Sequence, residues 1–190
     1  FEGGFSVEAA EAVVDLGAHP DAPHLAAVLE QLVDHSLVHR AEQRGRLVLL
    51  VTLQDFAAER LNLCPAPTDR ASTERRHGRA IIGLIERMEQ STPHSHVAQG
   101  MRAERENLLV ATRRAVLADD AEVAWRVGLV AVDLLVLAGP QSEAVQLARA
   151  ILHTRSLTPS WQAQVSVALG DALRNVGQTA EAEEHLERGL

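Results

Sequence analysis

The hexapeptide Gly139-Pro-Gln-Ser-Glu-Ala144 can be laid over Gly177-Gln-Thr-Ala-Glu-Ala182. Gly, Glu and Ala coincide at a shift of 38 residues, and Leu152 then falls on Leu190. A repeat of this length constrains the fold more than any other feature of the chain. One such unit cannot bury its own faces and has to stack on its neighbours. Within the last unit, Leu169, Gly170, Gly177, Ala182 and Leu186 are the expected packing positions. Gly170 and Ala182 permit close helix approach, and Leu169 and Leu186 fill the groove between.

Composition supports helices packed closely. The apolar fraction is 46%, yet aromatics are only 3% and Tyr is absent. Leu, Val and Ala therefore have to fill the core. The net charge of −8 argues against nucleic acid or an anionic membrane as the main partner. A single cysteine, Cys64, excludes an internal disulfide and fits a reducing compartment. No apolar run is long enough to span a bilayer. The expected setting is cytoplasmic. All 18 basic residues are Arg. Without Lys the chain has no P-loop and no Schiff-base nucleophile of the usual kind.

Three domains are expected, 1–62, 63–118 and 119–190. In the first, Ser6 caps a helix with Glu8 in its first turn. A breaker-rich loop spans Gly17 to Pro23, and a second amphipathic helix runs from His24 until Ser36 ends it. The period then changes. Leu37-Val-His-Arg40 and Arg46-Leu-Val-Leu-Leu-Val51 read as strands joined by Glu42-Gln-Arg-Gly45, with positive φ at Gly45. Helical spacing returns at Leu53, Phe56 and Arg60. Helices followed by a β-hairpin make a winged-helix arrangement. Cys64-Pro-Ala-Pro67 marks its boundary.

Everything after Asp69 reads as helix. Asp69 caps a helix with an apolar stripe through Ile81, Ile82, Ile85 and Met88. Ser91-Thr-Pro-His-Ser95 reads as a loop, and a long helix follows from Met101 to Val116. Asp119-Asp120 caps the next, which ends at Gly139-Pro140. A helix covers Glu143 to Leu152. Thr158-Pro159 opens another, ending near Gly177, and the last runs to Leu190.

The chemistry-bearing residues form no catalytic, cofactor or metal site. His35 and His39 are four apart beside Asp34, but the helix-to-strand switch falls between them, so the spacing loses its meaning for a metal. His94 and His96 are placed in a polar loop. Cys64 has no nearby base. Residues 1–62 hold four Arg against ten Asp or Glu, a net of −6. That makes the winged helix a poor DNA reader. Arg70, Arg75, Arg76 and Arg79 form a basic stretch, either solvated or a dock for an acidic surface. Glu181, Glu183, Glu184 and Glu187 form an acidic face.

In the last unit Leu169, Gly170, Gly177, Ala182 and Leu186 fall at the spacing of a tetratricopeptide repeat, which the unit resembles, with Leu173 where Tyr is common. Phe1-Glu-Gly-Gly-Phe-Ser-Val-Glu-Ala-Ala-Glu11 with Leu32-Val-Asp-His-Ser-Leu-Val38 resembles the winged-helix region of bacterial STAND-class regulators, NB-ARC-like ATPases often fused to tetratricopeptide arrays. In that family the segment after the hairpin resembles L-E-T-x-R-E-Y-A-x-E-R-L, and here it is Leu50-Val-Thr-Leu-Gln-Asp-Phe-Ala-Ala-Glu-Arg-Leu61. Arg76-His77 and Glu104-Arg-Glu-Asn-Leu108 are similar to landmarks of its linker helices. The resemblance implies a mainly α chain, a winged helix followed by an α-solenoid of helical hairpins. It implies a non-enzymatic piece of a larger signalling ATPase or transcriptional regulator, with ATP or ADP held in an upstream module. Protein partners would bind the helical repeats. Thr52, Gln54 and Asp55 are the candidate relay contacts to the ATPase module. Val51 and Gln54 stand where the family carries Glu and Arg, which weakens the expected nucleotide sensing. A DNA-binding regulator and a purely structural scaffold are the alternatives.

Overall fold

A computed structural model describes residues 1–17, 19–42, 45–64, 69–91 and 93–189. The expected turn residues Gln43 and Arg44, the breakers Pro65 to Pro67, Thr92 and Leu190 lie outside them. The chain is mainly helical, with one small two-stranded antiparallel sheet. It divides into two compact units, Phe1–Ala80 and Ile81–Leu190.

The first unit is built from α1 (Val7–Val13), α2 (Leu25–Asp34), β1 (Val38–Arg40), β2 (Leu47–Leu49), α3 (Val51–Leu61) and the start of α4 (Arg70–Ser91). Ser6 caps α1 as expected, its side chain accepting from the Ala9 amide at 3.1 Å. α2 ends through Ser36, which takes a positive φ of 58°. In the sheet Val38 faces Leu49, His39 faces Val48 and Arg40 faces Leu47. Phe5 adds a bridge to the other side of β2, exchanging both main-chain bonds with Leu47 at 2.9 and 2.8 Å. Gly4 makes this approach feasible: a Cβ there would lie 2.8 Å from the Leu47 carbonyl. Phe5, Ala10, Leu29, Val38 and Leu47 form the core of the unit.

The strands are shorter than expected. Leu37 precedes β1, and Leu50 leaves β2 to become the N-cap of α3. Val51 therefore opens a helix, where its side chain is 71% exposed and free of the crowding that β-branched residues suffer deeper in a helix.

The second unit holds the rest of α4, then α5 (His94–Gly100), a 3₁₀ turn at Met101–Glu104, α6 (Arg105–Ala118), α7 (Ala121–Ala138), α8 (Gln141–Leu152), α9 (Pro159–Asn175) and α10 (Thr179–Arg188). Two expectations are corrected here. The loop at Ser91 to Ser95 is mostly helix, because α4 continues through Ser91 and α5 starts at His94. The Ser91 hydroxyl stays satisfied inside the helix by donating to Arg87 and Met88 carbonyls, both at 3.2 Å. The long helix from Met101 is instead a tight turn followed by α6. The last helix closes at Arg188, with Gly189 as its C-cap.

From α6 onward each helix packs against the next, and α5 on α7, α7 on α9 and α6 on α8 also touch. This places α5, α7 and α9 in one layer and α6 and α8 in the other. Ile85, Leu108, Val127, Leu135, Ile151, Leu169 and Leu173 are completely buried between them. The expected caps hold: Asp120 accepts from the Val123 amide at 3.3 Å, and Thr158 from that of Trp161 at 3.3 Å.

Candidate interaction surface

The three residue types that coincide at the 38-residue shift do the same work in both hairpins. Gly139 and Gly177 open the turns, with φ of 74° and 81°. Ala144 and Ala182 are fully buried one turn into the second helix. Glu143 accepts from Arg113 at 2.5 Å and from Arg105 at 3.4 Å, both on α6. Glu181 accepts from Arg149 on α8 at 2.6 Å. Each hairpin is thus tied to the one before it by the same carboxylate. Glu181 belongs to this tie, and the rest of the predicted acidic face, Glu183, Glu184 and Glu187, is exposed, with Glu184 3.6 Å from Arg188.

The five predicted packing residues gather at the α9–α10 crossing. Leu169 and Ala182 are fully buried and Leu186 is half-buried. A Cβ on Gly170 would sit 2.7 Å from Leu186 Cγ and 3.1 Å from the Ala182 carbonyl. Gly128 plays the corresponding part in α7, where a Cβ would meet Ile151 Cδ1 at 2.5 Å.

The outer face of the α7–α9 layer went unrecognised in the sequence. Trp125 and Trp161 stack with centroids 4.6 Å apart and planes 6° from parallel. Trp125 Nε1 donates to Gln164 Oε1 at 3.2 Å. Arg126 lies 5.7 Å from the Trp125 ring and forms an ion pair with Glu89 of α4. Leu129, Val136 and Ala168 continue the face as half-buried apolar side chains. A signal was available: these are the only two Trp in the chain, and they are 36 residues apart, close to the repeat length.

In the first unit, α3 carries the candidate relay residues, and none of its residues is buried. Thr52 and Asp55 are exposed, on the same side as Val51, Phe56 and Glu59. Gln54 is not with them. Its side chain donates to the Leu49 carbonyl at 3.1 Å, bracing the entry of the helix. Arg60 lies over the Phe56 ring at 5.0 Å. Leu50, Val51, Phe56 and Leu63 make this segment apolar toward solvent.

The basic stretch of α4 is not a uniform solvated face. Arg76 donates from Nε to the Val13 carbonyl at 2.7 Å, closing the end of α1. Arg70 pairs with Glu74 at 2.8 Å, and Arg75 donates to Ser72 at 3.1 Å. His77 is 2% exposed and meets the Phe1 ring edge-on at 4.8 Å. Asp69 caps α4 through the Ser72 amide at 3.1 Å. A hydrogen bond with the Ser72 side chain, aided by its amide and by the Arg75 charge, holds this carboxyl below the ordinary carboxylate value against desolvation.

His35 caps α2 and His39 lies within β1. His94 and His96 belong to α5 rather than to a loop. Among the described residues no group of three or more His, Cys, Asp or Glu could hold a metal ion. Among them, too, no helix is long and apolar enough to cross a membrane. The α2 helix, which would enter the major groove in a DNA-binding winged helix, exposes Glu30, Gln31 and Asp34 and has no Arg.

Asp119 links two turns. It closes α6 in the left-handed region at φ 56°, and its carboxylate accepts from the Arg155 amide at 2.8 Å and the Ser156 amide at 3.4 Å. The Ser156 hydroxyl donates to the Asp119 carbonyl at 2.8 Å. Desolvation pushes this carboxyl up, but the bonds from Arg155 and Ser156 prevail and hold it below the ordinary value of 3.8. No family model, curated protein or solved structure matches the chain.

Proposed function

We propose that this chain is a non-enzymatic regulatory and protein-docking part of a larger STAND-type regulator. A winged-helix unit relays the state of an ATPase module, and tetratricopeptide-like hairpins bind protein partners in the cytoplasm. The observation that carries this is the repetition of function at Gly139 and Gly177, Glu143 and Glu181, and Ala144 and Ala182. Stacked hairpins of this kind present one continuous helical face, a common support for protein recognition. The antiparallel pair β1–β2 after two helices, with the isolated Phe5 bridge on the other side of β2, supports the winged-helix reading. The acidic exposed face of α2 favours a protein over DNA as the partner of that unit.

The relay is tested by hydrogen exchange in the full-length parent polypeptide with ADP and with a non-hydrolysable ATP analogue. Protection of Val51–Leu61 is expected to differ between the two states. Identical protection would remove the relay and leave a scaffold.

A further inference from the structure

We infer that α3 docks through its outward side on a protein surface that presents Arg or Lys among aliphatic side chains. The inference rests on the relay role proposed above and names the chemistry of the surface that α3 meets. A helix shorter than about 12–15 residues is marginal in water and draws its stability from packing. α3 has 11 residues and buries none of them. Leu53, Gln54, Ala58 and Leu61 recur at helical spacing on its inward side, and all four are only half-buried. The outward side carries Val51 and Phe56, and Leu50 and Leu63 flank the helix. These are four of the ten large apolar side chains exposed among the described residues. Such a concentration on one short helix marks a face that a partner covers.

Charge identifies the partner. Asp55 and Glu59 stand one turn apart on the outward side, between Val51 and Phe56 in helical projection. Among the described residues neither carboxylate has an ion pair or a hydrogen bond. They differ in this from Glu143 and Glu181, which are held in the hairpin ties. Arg60, the one cation in the α3 sequence, lies at the edge of this side over the Phe56 ring. The outward side thus offers two uncompensated carboxylates framed by apolar side chains. A surface with Arg or Lys set among aliphatic side chains complements both features, whereas an acidic surface brings like charges together.

The test adds either of two synthetic peptides of about twelve residues to the whole chain and follows amide hydrogen exchange. The peptides share a Leu pattern and carry either Arg or Glu at every charged position. In the chain alone, α3 amides are expected to exchange faster than those of α7, and equal protection would overturn the inference. The Arg peptide should slow exchange across residues 51–61 about tenfold, and the effect should fall as salt is raised to roughly 0.5 M. Asp55→Asn with Glu59→Gln should weaken Arg-peptide affinity about tenfold without changing the far-ultraviolet circular dichroism. Asp55→Asn alone serves if the pair fails to fold. Glu183→Gln with Glu184→Gln, on α10, should leave binding unchanged. Equal protection by the Glu peptide overturns the charge assignment, as does an Arg-peptide affinity indifferent to the α3 variants. Protection by neither peptide overturns the inference, and the relay then stands or falls on the nucleotide comparison in the parent polypeptide.

Discussion

Gly170 has no room for a methyl group. An added Cβ would lie 2.7 Å from the Leu186 side chain and 3.1 Å from the Ala182 main-chain oxygen. Leu186 can yield, but the helix backbone behind it cannot without moving α10. Gly170→Ala is therefore expected to destabilise the chain by about 1–3 kcal/mol, read from urea unfolding. Arg76→Ala breaks the bond that closes α1 at Val13 and should cost about 1–3 kcal/mol, with the loss seen as faster exchange of α1 amides. Asp119 makes a pH-dependent contribution. Its folded-state value lies below the unfolded one, so its stabilisation is present above the ordinary carboxylate value of 3.8 and fades as pH falls through the folded value. Asp119→Asn should flatten the loss of stability in that acid range, while Glu183→Gln should not.

At the level of elements, the helix ends were readable because capping is local. Ser6, Asp69, Asp120 and Thr158 each reach an amide three residues on, a distance that sequence spacing specifies. The hairpin ties were readable on one side only. Glu143 and Glu181 align, but their partners Arg113 and Arg149 stand 30 and 32 residues earlier. Packing selects them, and no single offset predicts both. Each tie is solvent-exposed, so Arg149→Ala should cost under about 1 kcal/mol, whereas Leu135→Ala, fully buried in α7, should cost about 2–5 kcal/mol. Chemical denaturation of the two variants checks the ranking. For α3 the family resemblance offered Thr52, Gln54 and Asp55 as relay residues, with Gln54 already standing where the family carries Arg. The structure separates them, because Gln54 turns back to the Leu49 carbonyl while Thr52 and Asp55 face outward.

Across the whole molecule, the sequence by itself determined the order of the elements and the kind of most of them, the helical Ser91 and His94 and the tight turn at Met101–Glu104 being the exceptions. Period, caps, breakers and the shift of 38 residues are short-range properties, and they placed a hairpin early and a helical array late. It also determined the charge balance and the absence of Lys, which depend on no folding at all. The tertiary structure decided what lies between distant positions. It stacked Trp125 on Trp161, hung Arg76 on Val13, joined the Asp119 turn to the Arg155 turn, and divided the chain into its two compact units. These are contacts between residues tens of positions apart. Their geometry follows from how whole helices pack ridge into groove, and no local pattern encodes it. The Trp125–Trp161 stack on α7 and α9 came into view only once that packing was known.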